Sequence, residues 1–219
     1  MTSQEQFQKT ENEDKSMTTL LQINSGMQGD ASHSSQLADM LVRSLISGRS
    51  DVHHIRRDLG KDPFPHLGHE TYQAFLNPTA PLLPPHKAGL VLSDQLIAEL
   101  KEADIVVLGV PMYNFMVPSP LKSWIDYISR AGQTFRFTEN GPMGLLEDKR
   151  TYIVVTQGGQ FLGAENDLLT PYLRMALGHI GIRDIHFIYA PGLAQGPAVM
   201  DAGLASAKAR IQSLTQPYS

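Results

Sequence analysis

The chain has 219 residues, 42% of them hydrophobic and 18% charged, with a formal net charge of −4 and no cysteine. That length admits one large domain or two small ones, and the composition supports a sizeable core. The mild negative charge gives no electrostatic grip on nucleic acid or an anionic membrane. The missing thiols exclude disulfides, thiolate metal sites and cysteine nucleophiles, and a reducing cytoplasm is the expected setting.

Residues 1–16 are polar and mixed in charge, with no apolar core of a signal peptide, and are expected to form a disordered extension before a single domain over 17–219. No apolar run approaches the roughly 18 residues of a membrane helix. Thr18–Asn24 (TTLLQIN) is an apolar-rich run of strand length, followed by the small and polar stretch SGMQGDASHS. The next helix carries a stripe of Leu37, Met40, Leu41 and Leu45 and stops at Gly48. Val52–Leu59 reads as a second, shorter strand. DPFPHLGHETYQAFLNPTAPLLPPH (62–86) is long and proline-rich, and is expected to be an irregular segment that covers something or reaches a partner.

Leu90–Asp104 is an amphipathic helix feeding into the fully apolar strand Ile105–Val110. SPLKSWIDYISRAG places Leu121, Trp124, Ile125 and Ile128 on one helical face, and TFRFTENGPMGLLEDK alternates around Asn140–Gly141 as a hairpin. The strand TYIVVT (Thr151–Thr156), the helix LLTPYLRMALGHIG, the strand IRDIHFIYAPG and the helix AGLASAKARIQSL complete the chain.

Strands and helices alternate five times, and the near-continuous apolar strands indicate a parallel sheet covered on both faces. The expected fold is α/β: a flavodoxin-like, five-stranded, doubly wound parallel sheet of order 2-1-3-4-5 with helices on both faces. Ligands in such sheets sit at the carboxyl ends of the strands, at the switch point between strands 1 and 3. That rule selects three loops: SGMQGDASHS after strand 1, PMYNF after strand 3 and TQGGQF after strand 4.

The first loop has neither GxxxxGK[ST] nor GxGxxG. It offers Ser25 and the cluster Ser32–His33–Ser34 at a helix start, where free amides, the positive dipole end and serine hydroxyls hold a phosphate without Lys or Arg; a plain serine N-cap is the alternative. The second loop supplies backbone amides with Met112, Tyr113, Asn114 and Phe115, donors for the edge of a planar polar ring and apolar surface for its faces; the alternative is an aromatic plug. In the third, Gln157–Gly158–Gly159 lets backbone approach a ligand closely. A phosphate pocket at one end and a flat polar clamp at the other suit flavin mononucleotide (FMN).

The stretch PMYNF…LKSWIDYISRAGQTFRFTENGPMGL (Pro111–Leu145), with DLLTPYLRMALGHIGI and IYAPGLAQGP, resembles the FMN-dependent NADH azoreductase and quinone reductase family, and the resemblance covers roughly residues 19–214. It implies that Ser32, His33 and Ser34 bind the FMN phosphate, that Met112, Tyr113, Asn114 and Phe115 line the flavin ring, and that Thr156, Gln157, Gly158 and Gly159 form the fourth-strand flavin loop. Two positions depart from the family pattern: Gly26 stands where a flavin-contacting serine is common, with Ser25 one place earlier, and Gln157 replaces an Arg. The resemblance further implies tightly bound FMN, NADH or NADPH as co-substrate, ping-pong hydride transfer through flavin N5 to a quinone or azo compound, no essential acid or base side chain, and a homodimer with the pocket at its interface. Phe137 and Phe161 are candidate substrate walls, with ordinary core packing as the alternative.

The competing function is a flavodoxin-like electron carrier serving a protein partner, although such carriers are more acidic than −4 in 219 residues. A flavin-free receiver module would need an acidic cluster at the strand ends, and Asp104 precedes its strand. A metal role is declined for His53–His54, which alternate across a strand, and for His66, His69 and His86, which have no ligand spacing. Arg56–Arg57–Asp58 reads as solvated surface, and Lys122–Asp126 as an i,i+4 helix pair.

Overall fold

The structure is a computed structural model that describes residues 17–77 and 84–215. The expected disordered extension over 1–16 lies outside the described residues. β1 (Thr18–Asn24) leads through a 3₁₀ turn (Gly29–Ala31) into α1 (His33–Ile46), then β2 (Val52–Asp58), α2 (His69–Leu76) and α3 (Pro84–Glu102). β3 (Ile105–Pro111), α4 (Ser119–Ile128), the two short strands β4 (Phe135–Thr138) and β5 (Gly141–Gly144), β6 (Arg150–Thr156), α5 (Leu169–Ile180), β7 (Ile185–Ala190) and α6 (Pro197–Thr215) follow.

The main sheet has five parallel strands in the order β2-β1-β3-β6-β7, and β4–β5 form a separate antiparallel hairpin. With the hairpin set aside, this is the expected 2-1-3-4-5 order. Successive strand residues point to opposite faces, and each face owns a core. Leu21, Ile23, Val106, Leu108, Val110, Ile153 and Val155 pack with α3, α4 and α5 through Leu96, Leu121, Trp124, Leu173 and their neighbours. Leu20, Val107, Tyr152, Val154 and Ile188 pack with α1 and α6 through Leu37, Leu41, Ala207 and Ile211. Each such side chain contributes about 1.5–3 kcal/mol by leaving water.

The proline-rich excursion is more regular than expected. α2 forms inside it and α3 reaches back to Pro84. It covers the α3–α4 side of the core: Phe64 and Phe75 both meet the Tyr127 ring edge-on, at 6.5 and 6.2 Å. Two arginines hold it from below. Arg57 lies over Phe64 and Arg130 over Phe75, with guanidinium-to-ring distances of 5.7 and 5.5 Å. The reading of Arg56–Arg57–Asp58 as solvated surface therefore fails for two of the three. Arg57 forms a bidentate, part-buried pair with Glu99 on α3, and the Asp58 carboxylate accepts from the Gly60 and Lys61 amides in a turn against the first loop. Adjacent charges on a short edge strand hid these separate fates.

The first helix sits close to the sheet because residue 109 has no side chain. A Cβ there would stand 3.0 Å from Asn24 Oδ1, 3.1 Å from Ser34 O and 3.3 Å from Ala38 Cβ. Gly109→Ala is expected to cost about 1–3 kcal/mol by overpacking; an urea melt with an unchanged midpoint would contradict this packing role.

Candidate functional site

The three loops converge at the carboxyl edge of β1, β3 and β6, and the second is tied to each of the other two. The Met27 amide of the first donates to the Tyr113 hydroxyl of the second at 3.2 Å. The Met112 amide donates to Thr156 O at 2.8 Å, joining second to third. The Phe115 and Phe161 rings meet edge-to-face with centroids 5.6 Å apart.

In the first loop, Ser32 occupies the N-cap position of α1, yet its hydroxyl makes no capping bond. It pairs instead with the Ser34 hydroxyl at 3.0 Å, both residues being buried, and the buried Ser35 hydroxyl has no protein partner. The amides of His33, Ser34 and Ser35 lack intrahelical acceptors by helix geometry. Hydroxyls and amides thus face one small concavity at the positive end of a helix, with His33 half-buried beside them.

The departure at Ser25–Gly26 has a steric reason. A Cβ on residue 26 would lie 2.1 Å from Ser32 Oγ and 3.4 Å from Ser34 Oγ, so only glycine leaves the serine pair in place. Ser25 is fully buried, and its amide and hydroxyl both donate to Gly109 O, at 3.0 and 2.8 Å. Its hydroxyl proton is committed to holding the first loop against β3.

Charges around this concavity cancel. Lys61 bonds Asp30 at 2.9 Å and holds its exposed carboxyl below the usual range, while Arg56 lies 3.9 Å from Asp30 and 3.7 Å from Asp39. What these residues offer an anion is dipoles, not net charge.

The second loop is a two-residue reversal. Tyr113 and Met116 exchange backbone hydrogen bonds at 2.9 and 3.0 Å, and between them Asn114 and Phe115 both adopt left-handed backbone, with φ of 49° and 68°. Asn tolerates this conformation; for Phe it costs about 1 kcal/mol or more. The strain leaves Phe115 half-exposed against Phe161 and the Asn114 side chain exposed at the tip. Met112 packs down onto the core below.

In the third loop, the carbonyls of Gln157, Gly158 and Gly159 accept from Leu193, Ala194 and Gly192, which pins the loop to the turn after β7. Among the described residues the Gly158 and Gly159 amides have no acceptor. Thr156 is buried at the end of β6. A Cβ on Gly159 would lie 2.8 Å from the Phe161 ring, so the bare backbone is what lets that ring fold back toward Phe115.

The site therefore gathers Ser32, His33, Ser34, Met112, Tyr113, Asn114, Phe115, Thr156, Gln157, Gly158, Gly159 and Phe161 along one lip. Phe137 is not brought there within one chain. Its hairpin is rooted at the opposite edge, where Leu146 donates to Ile180 O at 3.0 Å and Gly144 is so close to Gly181 that a Cβ would sit 2.2 Å from its amide nitrogen. Phe137 is 76% exposed and its ring contact is with Phe135, at 5.4 Å. Sequence reasoning missed the Met27–Tyr113 bond and the crowding at Gly26, since neither leaves a local signature. No group of three or more His, Asp or Glu able to hold a metal occurs among the described residues, His54 bonds Gln22 and His66 bonds Ser123, and the side chain of His86 lies outside them.

The cradle of uncharged donors, the crowded Gly26 and the amide-lined reversal fit FMN: a phosphate at the α1 end and a flat ring across the second and third loops. Comparison with known proteins gives the family. A family model described as having a flavodoxin-like fold matches residues 18–214, so the chain belongs to the flavodoxin-like proteins. Within them it belongs with the FMN-dependent NADH:quinone oxidoreductases. It is 44% identical over 195 residues to "FMN-dependent NADH:quinone oxidoreductase 6" of Burkholderia lata, covering 89% of this chain and 98% of that protein. It is 44% identical over 196 residues to a relative of the same description from Cellvibrio japonicus, covering 90% and 98%. In fold it is similar to an azoreductase from Bacillus anthracis, with a TM-score of 0.83 at 22% identity over 91% of this chain and 99% of that one.

Gly26→Ala is expected to leave folding largely intact but to weaken FMN binding at least tenfold, because the new methyl displaces Ser32. Fluorescence titration giving a wild-type dissociation constant would contradict the cradle as described.

Proposed function

We propose that this protein is an FMN-dependent NADH:quinone oxidoreductase that also accepts azo compounds, working by a ping-pong cycle. The observation that carries the reading is the serine and amide cradle at the start of α1, joined through the Met27–Tyr113 hydrogen bond to the second-loop reversal, in a chain 44% identical to proteins so named.

Ser32, Ser34, Ser35 and the first amides of α1 would hold the FMN phosphate, with Gly26 clearing the space. The amides of the Asn114 reversal and of Gly158–Gly159 would face the ring edge. Bound FMN supplies hydride acceptance from NADH and hydride donation to the acceptor substrate, chemistry no side chain here provides. The amides of the second and third loops would stabilise negative charge on the ring, since fixed dipoles already aimed need no reorganisation. Phe115 and Phe161 would form the apolar lip on which nicotinamide and quinone lie in turn, and sharing that space makes the cycle ping-pong. No acid or base residue is assigned.

A homodimer with the site at its interface completes the proposal. The exposed Phe137, rooted far from its own loops, then serves as a wall of the partner's pocket. The described residues contain no helix long and apolar enough to cross a membrane; a cytoplasmic location is proposed with the redox reading of a cysteine-free chain.

Anaerobic NADH is expected to bleach the flavin band near ~450 nm, and a quinone to restore it without any protein partner. Reduction that needs a second protein would favour an electron carrier. Asn114→Gly keeps the left-handed backbone and removes the side chain, so it is expected to lower FMN retention several-fold, whereas Lys122→Ala, which breaks only the 2.6 Å pair with Asp126, leaves it unchanged. Equal retention in the two variants would remove Asn114 from the site. Ser34→Asp, which sets a carboxylate beside the phosphate, is expected to abolish retention; wild-type occupancy would move the phosphate elsewhere.

A further inference from the structure

Gln157 poses a chemical problem that the flavin reading alone does not solve. It is 1% exposed, and both polar atoms of its side chain, Nε2 and Oε1, are sealed from solvent with no hydrogen-bond partner. No protein atom among the described residues pairs with either, which leaves both groups available to a ligand. An unpaired buried donor or acceptor costs about 1–3 kcal/mol, and here one side chain carries both.

The main chain at this position cannot move to help. Its amide donates to Ala190 O and its carbonyl accepts from Leu193, each at 3.0 Å. The residue before it, Thr156, bonds the second loop through its carbonyl, and the two after it are glycines. Three rotatable side-chain bonds remain, and they let the carboxamide turn toward the lip without shifting the backbone.

We propose that the Gln157 carboxamide is a reorienting ligand for the pyrimidine edge of the flavin, and that it sets selectivity for that edge. The claim rests on the FMN reading of the site. The pyrimidine edge presents an N–H flanked by two carbonyls. A carboxamide presents one acceptor beside donors, so the two pair bidentately: Oε1 accepts from flavin N3–H and Nε2 donates to an adjacent carbonyl. A cation at this position would bind carbonyls but would have nothing to offer N3–H. Gln157 therefore exchanges charge for recognition of the ring.

The test uses the full-length protein, stripped of flavin and titrated with FMN and with 3-methyl-FMN, whose N3 cannot donate. Wild type is expected to prefer FMN by roughly tenfold, in line with one or two hydrogen bonds of about 0.5–1.5 kcal/mol each. Gln157→Met, of similar shape, is expected to bind FMN roughly tenfold more weakly and to lose the preference. It should also raise the melting temperature of the stripped protein, because it removes an unpaired amide and orphans no partner. Gln157→Glu, which keeps the acceptor and loses the donor, is expected to bind both flavins more weakly than wild type. An undiminished FMN preference in Gln157→Met overturns the proposal while leaving the flavin site standing; so does a lower melting temperature with unchanged affinities, which would make the amide a structural group satisfied by fixed water. A wild type that binds neither flavin removes the FMN reading and this inference with it.

Discussion

The closeness of α1 to the sheet is the constraint on which the site depends. Gly109 permits it, because any side chain there would crowd Asn24, Ser34 and Ala38 together. The carbonyl of the same residue receives both the amide and the hydroxyl of Ser25, so one backbone unit of β3 fixes where the first loop leaves β1. From that point the loop delivers Gly26 against Ser32, and the helix starts with its amides and hydroxyls turned to one concavity. A shift of a few tenths of an ångström at Gly109 propagates directly to those donors, since interiors are packed too densely to absorb it.

What the concavity lacks is as informative as what it holds. The neighbouring ions Asp30, Lys61, Arg56 and Asp39 neutralise one another, so that in the proposed function dipoles would grip the phosphate. Such a grip discriminates by geometry more than by charge. At the other end, strain is stored where the ring would lie: Phe115 is held at a φ of 68° only because Tyr113 and Met116 close the reversal and Phe161 meets its ring. Strained backbone at a lip that also carries unsatisfied amides is a mark of preorganisation.

Much of this was legible in the sequence, and the reasons differ from element to element. Ile105–Val110 and Ile153–Val155 are apolar on both faces, as a covered parallel strand is, and the loops that carry the site follow from the topology of the sheet. The hairpin about Asn140–Gly141 announces itself by turn chemistry. The excursion was misjudged because its prolines read as breaks, whereas His69–Leu76 forms a helix between them and α3 starts at a proline, where the missing amide hydrogen costs nothing. Arg57 and Asp58 were misjudged because burial of a charge depends on partners distant in sequence: Glu99 and Phe64 for the first, the Gly60 turn for the second. At Gly26 the sequence showed a departure but not its cause, which is the Ser32 hydroxyl six residues on. The position of Phe137 at the far edge from the lip was invisible for the same reason: it follows from how Gly144 packs on Gly181, a long-range fit.

The central claim is that neutral donors at the carboxyl edge of the sheet hold a flavin by its phosphate. Calorimetric titration of the flavin-stripped protein with FMN and with riboflavin, at low and at high salt, addresses it most directly. The account predicts one FMN per chain, binding far tighter than riboflavin, and an affinity that falls only modestly as salt rises, because no lysine or arginine pairs with the phosphate. Equal affinity for the two flavins, or an FMN affinity that collapses with salt, would contradict it.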